Sequence, residues 1–352
     1  MKFLNKKSPA LIGLDIGSDS IKLLQLSSSG SSYRVEHVAM EPLPEGAVVE
    51  NAVTEQEEVA NSIKKALKAS GTRAKNCAVA VSGSAVITKI INVPADLTED
   101  EVEAQIEIES GQHIPFPREE VSLDFEVLGP SPRNADVLEV LLAASKSENV
   151  EIRRETAEMA GLRTQVVDVE AYAMGNAFEL VRKRDGISDS QTTGVLDIGS
   201  VKTTMIVMRA GRVVYTRDHP FGGRQLTEEA MRRYGLNASE ARFLERGEEP
   251  PPGFEDEVLS PFRSSIVQQI SRALQFYSSS SEYSSLGTLY LAGGCAALDG
   301  LSELVGNELG ISCELADPLR GLRLSTGINA SKIERQMPAL MVACGLALRG
   351  FD

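Results

Sequence analysis

The sequence predicts an α/β protein of two similar lobes, and three observations carry that reading. The pentapeptide LDIGS occurs at 14–18 and again at 196–200. Each copy opens the same succession of apolar strands, at 11–16, 21–26 and 33–40 in the first and at 194–198, 203–208 and 213–216 in the second. Between and after these blocks, helical periodicity alternates with strand signals, as an α/β chain requires. A single repeat over so long a distance marks a duplicated domain rather than a solenoid.

Within each copy a glycine-led turn joins the first two strands, and Gly30 or Gly211 breaks the chain before the third. Thr54 with Glu57 and Thr98 with Glu101 have capping-box spacing, ahead of Val59, Ile63 and Leu67 and ahead of Val102 and Ile106. Ser147 is a candidate cap for a helix that turns Ile152, Thr156, Met159 and Ala160 to one side and stops at Gly161. The pattern Val258, Phe262, Ile266, Ile270, Leu274 and Tyr277 predicts a longer helix, with Pro261 in its first turn, where a missing N–H is harmless.

The chain accordingly divides into a first lobe core at 1–83, an inserted subdomain at 84–165 and an interlobe connection with a helix at 166–192. A second lobe core follows at 193–225, a mainly helical insertion at 226–285, more of the second core at 286–334, and a C-terminal helix returning to the first lobe at 335–352. Strands at 86–93, 121–128 and 138–144 are expected in the first insertion, and RGEEPPPGFE at 246–255 is expected as an exposed loop because its prolines cannot continue a helix.

Bulk composition narrows the function classes. With 42% apolar residues the chain can bury a sizeable core. Fifty acidic residues against 36 basic ones give a net charge of −14, which argues against a general affinity for nucleic acid. Cys77, Cys295, Cys313 and Cys344 lie far apart with no short paired spacing, so reduced thiols in cytosol are expected rather than zinc or disulfides. Asp15 and Asp19 interrupt the apolar run after MKFLNKK, so no signal peptide is expected, and the uncharged segment 338–348 is far shorter than the roughly 20 residues that span a bilayer.

The repeated turns carry the chemistry. An aspartate ending a buried strand, followed by glycine and hydroxyl residues, suits a phosphate: glycine lets backbone N–H groups approach, and hydroxyls add donors. A carboxylate beside phosphate is repulsive unless Mg²⁺ and its waters lie between, so Asp15 and Asp197 are candidate metal-facing acids. Gly17, Ser18, Asp19 and Ser20 form the first candidate phosphate turn, with Lys22 as a charge partner or a solvent-facing side chain. Gly199, Ser200 and Thr203 form the second. Each turn taken singly also fits an ordinary hairpin. A third element, LYLAGG at 289–294, brings an apolar strand into Gly293 and Gly294, a pair that admits a flat base or ribose and also fits any strand-to-helix turn. Asp168 and Glu170 either position a water or cap the helix that follows.

At these residues the chain resembles the superfamily of actin, the heat-shock chaperones and the sugar kinases. Within it the sequence is similar to the PilM family of type IV pilus assembly, relatives of the division protein FtsA. The similarity runs through LDIGSDSIKLLQL (14–26), AVSGSAVITKIINVP (80–94), QIEIESGQHIPFPREEVSLDFEVLG (105–129), VLLAASKSENVE (140–151), VVDVEAYA (166–173), GVLDIGSVKTTMIVMRAG (194–211), LYLAGGCAALDGL (289–301) and PALMVACGLALRGFD (338–352).

The resemblance implies a duplicated actin-like, ribonuclease H-like fold with an inserted subdomain in each lobe, binding ATP and Mg²⁺ with at most slow hydrolysis. It extends the nucleotide-contacting set to Lys202, Gly222, Gly223 and Cys295, and makes Asp197 and Glu170 the candidate catalytic pair. It further implies a cytoplasmic scaffold of pilus assembly and twitching motility, peripheral to the inner membrane. Its expected partners are the N-terminal cytoplasmic tail of PilN, other inner-membrane pilus components and pilus motor ATPases. The tail is expected in a groove between the first lobe and its insertion, with Ile106, Glu109, Ile114 and Phe116 as contacts. The acidic run Glu99, Asp100, Glu101, Glu103, Glu107 and Glu109 would steer a basic tail, or is simply a solvated helix face.

One departure stands out. Relatives often place a glutamate and a lysine beside ribose and adenine, where EARFLERG here has Arg242 and Glu245, with Arg246 next to them. Two rival readings share the fold: a small-molecule kinase for a sugar or acid, and an FtsA-like membrane-attached filament protein. The first lacks a second pocket motif, and the second should end in an amphipathic helix rather than in an apolar one.

Overall fold

The computed structural model describes residues 11–352 apart from 31, 132–133, 239, 243–247 and 282–284. Two sheets repeat one plan. In the first lobe, β1 (Leu11–Ile16), β2 (Ser20–Ser29) and β3 (Ser32–Pro42) form an antiparallel meander. After the short pair β4 (Val48–Val49) and β5 (Ala52–Val53) and helix α1 (Gln56–Ser70), β6 (Asn76–Val81) joins β1 in parallel, and β10 (Arg163–Val169) joins β6.

The second lobe repeats this with β11 (Thr193–Ile198), β12 (Thr203–Arg209) and β13 (Arg212–His219) as the meander and β14 (Thr288–Ala292) and β15 (Ser312–Leu315) as the parallel pair. A further short strand, β16 (Arg323–Leu324), crosses from the second half to the edge of the first sheet beside β3.

Between β6 and β10 lies the insertion. Strands β7 (Val86–Pro94), β8 (Val121–Ser131) and β9 (Asn134–Lys146) make a sheet in the order β7-β9-β8, and α2 (Glu99–His113) packs Val102 and Ile106 onto Ile91, Val93, Val140 and Leu142. The insertion therefore has its own small core. It ends near Lys146 rather than at 165, because α3 (Ser147–Met159) packs Ala157 and Ala160 against Val59 and Ile63 of α1 in the first lobe's core.

The two lobes share a core through two helices. Helix α4 (Glu170–Asp185) leads from β10 to the second lobe, and α5 (Arg224–Tyr234), α6 (Ser260–Ser280) and α7 (Leu301–Leu309) complete that lobe. The last helix, α8 (Met341–Leu348), returns to lie on β1 and α4, and every one of its residues is buried. One continuous cluster joins Leu11, Leu24 and Val35 of the first sheet with Val195, Ile206 and Met208 of the second through Phe178 and Leu346. The α4–α8 approach is close enough that a Cβ on Gly345 would sit 1.6 Å from the Ala173 carbonyl oxygen, so only glycine fits there.

Several local expectations change. Thr98 and Glu101 do form a capping box, with Glu101 Oε2 accepting from the Thr98 N–H at 2.8 Å. Thr54 does not cap α1: its hydroxyl donates to the carbonyls of Gly46 and Ala47 instead. Ser147 is already inside α3, whose cap position is Lys146. The buried stripe of α3 is Arg153, Thr156, Ala157 and Ala160, while Met159 is 42% exposed. No helix of the described residues is long and apolar enough to cross a membrane.

Candidate functional site

The two LDIGS turns sit at matching corners of the two sheets. At the first, Gly17 N–H donates to Ser20 O at 3.1 Å and closes the hairpin, while Leu43 N–H bonds to Asp19 O at 2.9 Å. Ser18 Oγ donates to Asn51 Oδ1 at 3.0 Å. Beneath them, the buried Arg153 donates to the carbonyl of Ile16 at 3.0 Å and to that of Asn51 at 2.8 Å. One guanidinium thus fixes both segments that frame the turn.

Asp15 lies directly opposite Lys22 across the β1–β2 ladder, and the two side chains pair at 2.9 Å. Burial works against the Lys22 ammonium, but Asp15 outweighs it, with further help from Asp197 and Glu170, and holds the lysine above its ordinary value. Lys22 does not point into solvent, since its ammonium pairs with Asp15.

At the second turn Gly199 N–H donates to Lys202 O at 3.0 Å, the same closure as in the first. The chain after β13 folds back on it: Gly223 N–H bonds to Gly199 O at 2.9 Å and Arg224 N–H to Ser200 O at 2.8 Å. The start of α5 is thereby fastened to the turn, and Gly222 and Gly223 lie beside Gly199 and Ser200. Thr203 is buried and donates its hydroxyl hydrogen to Phe221 O at 2.8 Å, so it braces this loop and does not offer that hydrogen to a phosphate. Cys295 Sγ lies 3.9 Å from Gly199 O.

Gly293 ends β14 against the second acid. Its φ of 87° suits glycine, and an added Cβ would fall 2.4 Å from Asp197 Oδ1. Gly294 faces open space, where a Cβ would meet nothing within 4 Å. Burial pushes Asp197 up to about 6, Asp15 and Glu170 add to the rise, and Lys22 and Lys202 oppose it. Asp15 and Asp197, one from each lobe, therefore both favour the charge on Lys22. Lys202 itself turns to Glu170 Oε2 at 2.7 Å, Ser82 Oγ at 2.7 Å and Asp218 Oδ2 at 3.2 Å. Burial disfavours its charge, yet Glu170 and Asp218 hold the ammonium above its ordinary value.

Four acids, Asp15, Asp197, Glu170 and Asp218, thus surround two lysines, Lys22 and Lys202. Such an acid excess suits a divalent cation. Among the described residues no group of three or more His, Cys, Asp or Glu side chains converges as a metal site, so an ion here would draw most of its ligands from phosphate oxygens and water. Asp168 is not part of this cluster: it faces Arg349 near the end of the chain, 3.3 Å away.

A cleft of about 360 Å³ lies between the insertion, through Gly83, Ser84 and Val86–Thr88, the start of α4 at Ala171 and Tyr172, and the end of β13 at Thr216–Asp218. Arg217 is held there with its guanidinium carbon 4.1 Å from the centre of the Phe276 ring. Ile106, Glu109, Ile114 and Phe116 do not line this cleft. Ile106 is 1% exposed, a core residue of the insertion that cannot reach a partner, because it faces the sheet beneath α2. Glu109 accepts from Gln105 at 2.9 Å, Ile114 is half-buried, and Phe116 lies at the surface under the Lys146 ammonium. Glu245 and Arg246 lie outside the described residues, as does the side chain of Arg242.

Sequence reasoning missed Arg153, Asn51, Ser82 and Asp218. For Arg153 a signal existed: it heads the stripe continued by Thr156, Ala157 and Ala160 at helical spacing. The other three had none, since their partners come from distant segments.

Two sheets of identical plan, joined by crossing helices and presenting paired acid-and-glycine turns, define an actin-like ATPase fold. The family model described as type IV pilus assembly protein PilM matches residues 13–351, and the chain belongs to that family. Among solved structures, the PilM-PilN type IV pilus biogenesis complex is similar over 97% of this chain and 98% of the other, with 29% identity and a TM-score of 0.81. The ethanolamine utilization protein EutJ of Carboxydothermus hydrogenoformans shares the fold, at 16% identity and a TM-score of 0.57 over 97% of this chain and 89% of that one. Cell division protein FtsA of Bacillus subtilis (strain 168) is 23% identical over 260 residues, 67% of this chain and 57% of its own length.

Proposed function

We propose that this chain is a nucleotide-binding scaffold of pilus assembly that holds MgATP between its two turns and the N-terminal cytoplasmic tail of PilN in the neighbouring cleft. The observation that carries the reading is the pair of matched turns, each closed from its glycine N–H to the carbonyl three residues on and each led by a strand-end acid, Asp15 in one lobe and Asp197 in the other. Asp15 and Asp197 would hold Mg²⁺ through its waters, and the ion would supply the positive charge that lets carboxylates and phosphate share the site. Gly17, Ser18, Asp19 and Ser20 meet the phosphates from one lobe, and Gly199, Ser200, Gly222 and Gly223 from the other. Open space at Gly294 admits the adenosine.

For the tail, the cleft offers apolar Val86, Ile87 and Tyr172 beside Arg217 and Asp218. It also runs along β7, an edge strand of its sheet, on which an extended peptide can add main-chain hydrogen bonds. The partner's membrane anchorage then places this chain at the inner face of the membrane. Hydrolysis is slow in this reading, because Glu170, the carboxylate assigned to orient water, is bound by Lys202. Calorimetry of the full chain with MgATP, followed by a synthetic PilN tail peptide, tests both sites. Binding of each is expected. MgATP heats indistinguishable from buffer dilution would overturn the nucleotide reading, and a peptide that binds equally well after Tyr172→Ala and Arg217→Ala would move the tail out of the cleft.

A further inference from the structure

Lys202 ties together three parts of the chain that the topology otherwise keeps apart. Its backbone carbonyl closes the second turn. Its side chain reaches Glu170, the first residue of the interlobe helix, Asp218 at the end of β13, and Ser82, at the end of the first lobe's β6. Ser82 is 3% exposed and lies just before the insertion, and the residues that lead into it, Gly83 and Ser84, line the cleft together with Asp218. An ammonium has three N–H donors, and all three are engaged here. A phosphate oxygen arriving at the second turn can gain this lysine only if one of these partners gives it up.

The partners are not equal in this exchange. Asp218 is on the same lobe as Lys202 and is fixed by a bond from Thr204 Oγ1 at 2.7 Å. Ser82 and Glu170 lie across the interlobe boundary, and Ser82 is a neutral acceptor, which a charged phosphate oxygen readily replaces.

We propose that Lys202 is a positioning residue that trades Ser82 and Glu170 for the terminal phosphate of a bound nucleoside triphosphate, and so loosens the root of the insertion when the site fills. The inference rests on the nucleotide reading above. Phosphate binding and insertion mobility are then linked, and by reciprocity the Ser82 tie opposes triphosphate binding by the same factor with which the triphosphate opposes the tie. Glu170 is released in the same step, which couples exposure of the water-orienting carboxylate to occupancy.

Hydrogen–deuterium exchange of the full chain, with and without MgATP and with binding followed in parallel by calorimetry, tests this. In the unaltered protein MgATP is expected to speed exchange over 83–94 by about tenfold. In Ser82→Ala, which keeps every charge, the same segment should exchange fast before nucleotide is added and no faster afterwards, while MgATP binds severalfold more tightly. Lys202→Met should also remove the MgATP-driven rise, and the serine variant decides the matter if the methionine variant fails to fold. Binding of MgATP with unchanged exchange over 83–94, or with the same rise in Ser82→Ala, would overturn the proposal and leave the nucleotide reading intact. Absence of MgATP binding in the unaltered protein would remove both.

Discussion

At the first turn the acid and its lysine face each other across one hairpin, Asp15 against Lys22, whereas at the second the position facing Asp197 is Thr204 and the turn's lysine leaves for Glu170 and Ser82. The backbone plan is the same in both, down to the closing bond from glycine to the third residue on. Charge is arranged differently. The first lobe neutralises its acid internally, and the second shares its lysine among Asp218 of its own lobe, Glu170 and Ser82 and leaves Asp197 with a pKa pushed up to about 6 by burial. Duplication thus supplied two cradles, and divergence made one a self-contained holder and the other a link between lobes.

The largest expected effect falls on the self-contained side. Lys22→Met strands the Asp15 carboxylate in a site where the two side chains are only 16% and 10% exposed. Breaking such a pair from one side is expected to remove about 3 kcal/mol of stability, read as a lower urea midpoint. A midpoint unchanged by Lys22→Met would erase the contrast between the turns.

Next come the acids themselves. Asp15→Asn and Asp197→Asn should each weaken MgATP roughly 10- to 100-fold in calorimetry, as expected for groups that hold a metal through its waters. If affinity for ATP is the same with and without Mg²⁺, the acids serve some other purpose.

A pH dependence separates the two turns further. In the nucleotide-free chain Asp197 titrates near 6 instead of 3.8, so the folded state favours its protonated form. The stability this contributes is present at low pH and is lost as pH rises from about 4 to about 6. Asp197→Asn should therefore raise the melting temperature at pH 7.5 and leave it little changed at pH 4. MgATP needs the ionised acid, so its affinity should fall by up to about tenfold per pH unit below 6. An affinity flat from pH 7.5 to 5 would contradict the burial argument.

The smallest effect distinguishes the hydroxyls. Ser18→Ala removes the bond to Asn51 and should cost about 1 kcal/mol, while Ser200→Ala should stay within about 0.5 kcal/mol. Equal losses by chemical denaturation would mean that the two turns are braced alike.

Much of the fold was legible because it is repetitive and local. The meander strands, the LDIGS turns and the long helix with Pro261 follow from alternation, glycine placement and helical period, which act within a few residues. That the two acid-and-glycine turns fall at matching corners of the two sheets was legible for the same reason. Reading failed where a choice depended on distant partners. Thr54 and Thr98 have the same spacing to a glutamate, yet only Thr98 caps, because Thr54 is drawn to the carbonyls of Gly46 and Ala47. Ile106 was read both as core and as a contact, and the sheet beneath α2 settles it as core. The destination of Lys202 involves residues from three separate stretches, and no local pattern specifies it.

Helix α8 has a consequence for how the molecule is made. Its residues, near the end of the chain, line the inner face of β1, near the beginning, and the flank of α4. Until 341–348 have left the ribosome, the first sheet and the flank of α4 present an uncovered oily wall, so the first lobe cannot complete its core during synthesis of the second. The first strand laid down is thus the last to be covered, and a chain cut short before this helix would leave the first lobe open to chaperones.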